Sequence, residues 1–237
     1  MSSFFFNLGK RIAPAVLKGR WLYQSAVGDE NDVIRAEYQM GCQLAASFQG
    51  AVRLDGDPTV RQLLATLAGR LVPCVRIPQR RFAFRCVLAA DTNAFALPGG
   101  FIYVSRPLLE LCQFNPDEIA FVVGHEMGHV VYRHAADRVF ALTVTNFAAR
   151  LVTPSSAVMR GIAAKLVAEG YSRGQELEAD TYAALLTRAA KFNPQSGITL
   201  LRRLQELSRQ PSGLTQFFVS HPPFAERIEN IQRTLAT

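Results

Sequence analysis

The segment HEMGH at residues 125–129 sets His125 and His129 four positions apart, with Glu126 directly after the first. At 3.6 residues per turn the two imidazoles stand only about 40° apart on a helix and can present ring nitrogens to one point. Glu126 falls about 100° from His125 and about 60° from His129, close enough to reach a metal-bound water without ligating the metal. The same five residues also fit two core histidines bonded to backbone and a surface acid, so a third ligand must be sought elsewhere. The chain has four histidines. His134 lies on a poorly matched face, five residues past His129, and reads as a helix-end residue near the negative end of the dipole. By residue chemistry alone His221, before two prolines, is a loop histidine.

An acid on a later helix suits the chemistry better. The stretch SRGQELEAD at 172–180 puts Glu176 and Asp180 one turn apart on one face and directs Glu178 elsewhere. Glu176 can complete a tetrahedron of two histidines, one carboxylate and a water around Zn2+. Asp180 can accept the free N–H of a ligand histidine and fix its tautomer. The alternative is a pair of solvent-facing acids on an exposed helix.

The elements that must position these groups follow from caps and periodicity. Asn115, Pro116, Asp117 and Glu118 form a helix start, predicting a helix that carries HEMGH and runs to about His134. Gly124 and Gly128 each cost about 1 kcal/mol inside it, which suggests that a strand or a substrate runs close against it there. Upstream, helices are expected over 29–48 and from Pro58 to Ala68. Residues 81–90 and 92–97, then the turn Pro98–Gly99–Gly100 and the run FIYVS at 101–105, predict a small sheet. A short helix begins near Pro107, an αα-hairpin with exposed apolar surface spans about 139–168, and helices follow over 175–191, 197–209 and 223–235. The fold class is α+β, mostly helical, with the sheet beside the HEMGH helix.

Four stretches, NAFALPGGFIYVS at 93–105, HEMGHVVYRH at 125–134, SRGQELEAD at 172–180 and HPPFAERI at 221–228, together resemble the HtpX-like and BepA-like gluzincin zinc metallopeptidases. The resemblance implies a zincin-like fold and one catalytic Zn2+ held by His125, His129 and Glu176. It implies catalysis by Glu126 and a supporting role for Asp180. It further implies that His221 approaches the metal, either steadying the oxyanion or occupying the water position in a closed form, with Arg227 as transition-state support. Phe101, Ile102, Tyr103, Val104 and Ser105 would then be an edge strand on which a substrate lies as an added strand. The expected activity is zinc-dependent endopeptidase cleavage of extended or unfolded polypeptides through a metal-activated water, with Glu126 as general base. A catalytically weak, zinc-stabilised peptide-binding or chaperone-like module is the alternative.

Composition bounds the rest. The chain of 237 residues, 49% hydrophobic and 19% charged, is long enough for one substantial core, expected over 29–237 after a basic segment at 1–28. That segment contributes Lys10, Arg11, Lys18 and Arg20 without an acid, so the body is only mildly basic within a net charge of +7. No alternating aromatic and basic platform or zinc-finger spacing points to nucleic acid. Four cysteines without a CxxC pair read as reduced, mostly buried small hydrophobes. Phe4, Phe5 and Phe6 precede the basic residues, an order that does not fit a secretory signal, and neither apolar stretch in 139–168 reaches the length of a membrane span. The expectation is a cytoplasmic protein that contacts a membrane peripherally through residues 1–24 or 139–168, or else packs those segments on its own body. The sequence carries no signal of oligomeric state.

Overall fold

The computed structural model describes residues 29–139, 162, 165, 170–208, 221 and 224–237. The basic segment at 1–28 and most of the expected hairpin at 139–168 lie outside the described residues. Helix α1, Glu30–Gln49, begins where the Asp29 side chain accepts from the Asp32 amide. Helix α2, Pro58–Leu71, begins at Asp57, which caps Thr59, with Pro58 in the first turn.

Three strands follow, β1 Ala83–Val87, β2 Ala94–Leu97 and β3 Phe101–Ser105. Their order is β1-β3-β2, with β1 and β3 parallel and β2 and β3 antiparallel. The expected edge strand at 101–105 is therefore the central strand. Its backbone is paired on both sides, because the tight turn at 98–100, with Gly99 at φ 76°, folds β2 back along it. The strand expected across 81–90 is shorter than the apolar run suggests.

Alternation along the strands divides the core between two faces. Phe84, Cys86, Ala94, Ala96, Ile102 and Val104 enter the larger cluster, and Val87, Phe95, Leu97 and Tyr103 join Met40 and Leu44 of α1. Val139 and Ile162 also pack into that second cluster. Helix α3, Arg106–Leu111, is capped by Ser105 and leads into α4, Pro116–Val131, capped by Asn115. After it come α5, Arg173–Ala189, then α6, Ser196–Ser208, and α7, Phe224–Ala236. The result is predominantly helical with a small sheet beside the helices that bear the candidate ligands.

Helix α4 ends earlier than its periodicity implies. Tyr132 caps it and Arg133 takes a left-handed conformation, φ 65°, before a further helical stretch at 134–139. That conformation is unfavourable for a side chain with a Cβ. It is held where Arg133 Nε meets Glu37 Oε1 at 2.6 Å, while Glu37 Oε2 takes Arg80 Nη1 at 2.7 Å. Cys86 and Cys112 are buried, Cys74 is half-buried and Cys42 is exposed. Among the described residues no helix is long and apolar enough to cross a membrane.

Candidate metal centre

Helices α4 and α5 meet through small residues. A Cβ on Gly128 would stand 3.0 Å from Ala179 Cα, and one on Gly124 would stand 3.4 Å from Ala183 Cα. The expectation of a strand or substrate against these glycines is thus corrected. The neighbour is α5, whose own alanines complete the close approach and allow its short acidic side chains to reach the α4 histidines.

At that contact His125 Nε2 and His129 Nε2 stand 3.0 Å apart, His125 Nε2 stands 3.5 Å from Glu176 Oε2, and His129 Nε2 stands 3.3 Å from Glu176 Oε1. Zinc bonds of about 2.0–2.2 Å give a tetrahedron edges of roughly 3.3–3.6 Å, close to these separations. His221 joins them, so that one donor atom from each of four buried residues lies within 4.8 Å of the others. Three imidazoles and a carboxylate form a nitrogen and oxygen set suited to zinc. The buried Oε2 atom of Glu126 lacks a hydrogen bond, which further fits a site built for a cation.

The surroundings orient this set. Asp180 Oδ1 lies 2.9 Å from His125 Nδ1, where it fixes the proton on that nitrogen and leaves Nε2 free. Arg227 holds Asp180 in a fork, Nε to Oδ2 and Nη2 to Oδ1 at 2.7 Å each. Arg227 Nη1 reaches Glu176 Oε2 at 3.1 Å and donates to the His221 carbonyl at 3.1 Å. Arg227, expected as transition-state support, is buried with its N–H groups on Asp180, Glu176 and the His221 carbonyl. His221 faces two carboxylates, with Nδ1 2.9 Å from Glu176 Oε1 and Nε2 3.6 Å from Glu126 Oε1.

Burial opposes charge throughout, and the neighbours decide the balance. Burial raises the Glu126 carboxyl above the ordinary range despite the neighbouring His221 and His125. Burial would raise Glu176 too, but His221, Arg227 and His125 outweigh it and hold that carboxyl well below the ordinary range. His129 is pushed well below the usual imidazole value by burial. Burial likewise disfavours the charged ring of His125, yet Glu176, aided by Asp180, carries it to about 9.

His125, Glu126, His129, Glu176, Asp180, His221 and Arg227 are all brought together. Phe101 to Ser105 are not presented as a free edge. Two further groups were invisible to periodicity. His134 returns to His129, Nδ1 to Nδ1 at 2.9 Å, because α4 breaks at Arg133. The Tyr171 ring stacks on His129 with centroids 3.7 Å apart and planes 13° apart. Its place directly before Ser172, which caps α5 in a capping box with Gln175, was the signal available.

The chain matches the model of peptidase family M48 over residues 58–235. It is 33% identical over 202 residues to Metalloprotease LoiP of Escherichia coli, covering 78% of this chain and 77% of that protein. It is 30% identical over 153 residues to Mitochondrial metalloendopeptidase OMA1 of Saccharomyces cerevisiae, covering 62% of this chain and 44% of that protein. It is also 30% identical over 203 residues to the Beta-barrel assembly-enhancing protease of Yersinia pestis, covering 80% and 42%. The chain therefore spans less than half the length of the last two relatives. With the candidate ligand residues converging as described and the family model covering both helices that carry them, this chain belongs to peptidase family M48.

Proposed function

We propose that the protein is a gluzincin-type, zinc-dependent metalloendopeptidase that cuts extended or unfolded polypeptides, working as one domain over 29–237. The observation that carries this reading is the buried convergence of His125, His129, Glu176 and His221 beside a Glu126 oxygen without a hydrogen-bond partner. His125, His129 and Glu176 are the proposed permanent ligands. When bound, zinc supplies Lewis acidity, polarising the scissile carbonyl and bringing the pKa of a water towards neutrality.

Glu126 takes a proton from the attacking water and delivers it to the leaving amine. Asp180, gripped by Arg227, keeps the His125 proton on Nδ1 and so keeps the ligating nitrogen bare. His221, 1% exposed and lodged between Glu176 and Glu126, would be a further donor to the metal in a closed form. Withdrawal of that ring would make room for water and substrate.

The substrate strand is reassigned from β3 to β2, which packs against α4 and pairs with a strand on one side only among the described residues. Ser105 N–H donates to the Asn93 carbonyl, so by alternation the backbone polar groups of Ala94 and Ala96 face away from β3. Ala94 and Ala96 are 0% and 2% exposed, so an extended peptide added there beside the ligand helix would first have to displace what covers them.

The test is metal analysis with cleavage-site mapping on a denatured protein, for wild type and Glu126→Gln. The expected result is one equivalent of zinc in both and cuts in the wild type alone, abolished by a chelator. Zinc-loaded protein that holds unfolded chains without cutting them would favour the peptide-binding module. Protein that takes up no stoichiometric transition metal would refute both.

A further inference from the structure

The two ligand histidines of α4 are supported by different chemistry. His125 Nδ1 meets a carboxylate, whereas His129 Nδ1 meets the ring of His134, which is 4% exposed and has Nε2 3.2 Å from Glu178 Oε2. We infer that His134 is the positioning residue of His129, in a Glu178–His134–His129 chain that keeps the ligating nitrogen of His129 free of its proton. The inference rests on the metal reading given above.

Proton placement follows from the atoms. Two neutral imidazole nitrogens 2.9 Å apart share one proton. For His129 to offer a lone pair at Nε2, the atom that faces His125 and Glu176, its proton must sit on Nδ1. His134 Nδ1 is then the acceptor, and the His134 proton must sit on Nε2. Glu178 Oε2 stands there to accept it. Each donor has an acceptor, and one tautomer of each ring satisfies the chain.

The local fold explains how His134 reaches this place. On a continuous helix a residue five positions past His129 would lie about 140° around the axis from it. The left-handed Arg133, tied to Glu37, turns the chain back and brings the His134 ring to the His129 ring. Tyr171 covers one face of His129, so the ring is fixed in plane by stacking and in tautomer by His134. Glu178, on α5 with Glu176, thereby gains a role that its outward direction from Asp180 disguises.

The test uses the full chain loaded with zinc. Long-range proton–nitrogen NMR of its four histidines is expected to show His134 neutral and protonated at Nε2, with His129 protonated at Nδ1. A His134 protonated at Nδ1, or on both nitrogens, at neutral pH overturns the inference. In competition with a chromophoric chelator, His134→Phe is expected to weaken zinc binding roughly 10–100-fold. His134→Asn, whose amide oxygen can stand where Nδ1 stands, is expected to recover most of that loss. Equal zinc affinity in wild type and His134→Phe overturns the chain while leaving the metal site intact. A wild type that binds no zinc overturns the site itself. Should His134→Phe fail to fold, the NMR tautomers of the wild type decide alone.

Discussion

Two buried clusters of charge stand close along the chain and differ in how they are neutralised. Around Glu37 each carboxylate oxygen meets an arginine, Arg80 at 2.7 Å and Arg133 at 2.6 Å. Around Glu176 one arginine, Arg227, faces three carboxylates and a set of imidazoles, and the buried Oε2 of Glu126 lacks a hydrogen bond. In the first cluster both carboxylate oxygens are satisfied within the protein, although Arg80 Nε is buried without a hydrogen bond, and the cluster acts as architecture, joining α1, the residue 80 loop and the end of α4. The second gathers donor atoms able to hold a divalent metal. The clusters are also linked, since Glu37 holds the Arg133 turn that aims His134 at His129.

Removing one acid from each cluster would break the comparison most sharply. Glu176→Gln is expected to lower zinc affinity by more than the roughly 10–100-fold that a supporting residue commands, with peptidase activity falling alongside. Chelator competition and a peptide assay measure this. Glu37→Leu strands two arginines, one of them half-buried, and is expected to cost about 3 kcal/mol of stability in denaturant unfolding. Zinc affinity of the folded Glu37→Leu protein should fall no further than in His134→Phe. A loss as large as that of Glu176→Gln would erase the distinction between the clusters.

Smaller effects sharpen it. His221→Ala should raise the initial rate of peptide cleavage by roughly tenfold if nine molecules in ten are closed. A slower variant would mark His221 as an oxyanion donor instead. Gly128→Ala gains about 1 kcal/mol of helix propensity but forces a Cβ to 3.0 Å from Ala179 Cα, and overpacking of about 1–3 kcal/mol should win. Thermal unfolding should then show a net loss near 1 kcal/mol.

The smallest effect concerns acid. Burial raises the Asp180 carboxyl, but Arg227 overrides it and holds it below the ordinary value. Its stabilisation is therefore complete above the unfolded value of about 3.9 and is lost as pH falls through the lower folded value. Melting of metal-free protein from about pH 4 downwards should show this limb, and Asp180→Asn should flatten it.

The helices of the site were legible because their signals are local. Asn115 and Pro116 mark the start of α4, Ser172 the start of α5, and the four-residue spacing pairs His125 with His129 and Glu176 with Asp180. The misreadings share one cause. The run at 101–105 has the composition of a strand whether central or at an edge, and only pairing partners distinguish these. The glycines reported a close neighbour but not its identity. His134 was assigned by extending a regular helix through Arg133, and no local rule places a left-handed arginine there without Glu37, 96 residues earlier.

By itself the sequence determined the donor types, their spacing along each helix and the caps that begin those helices, because these depend on residues within a turn or two of one another. Tertiary structure alone decided that α4 and α5 touch through Gly124, Gly128, Ala179 and Ala183, that β3 is central, and that Arg227 grips Asp180. Those outcomes depend on which distant surfaces fill one another's space and satisfy one another's charge, and neither quantity is encoded within a single helical turn.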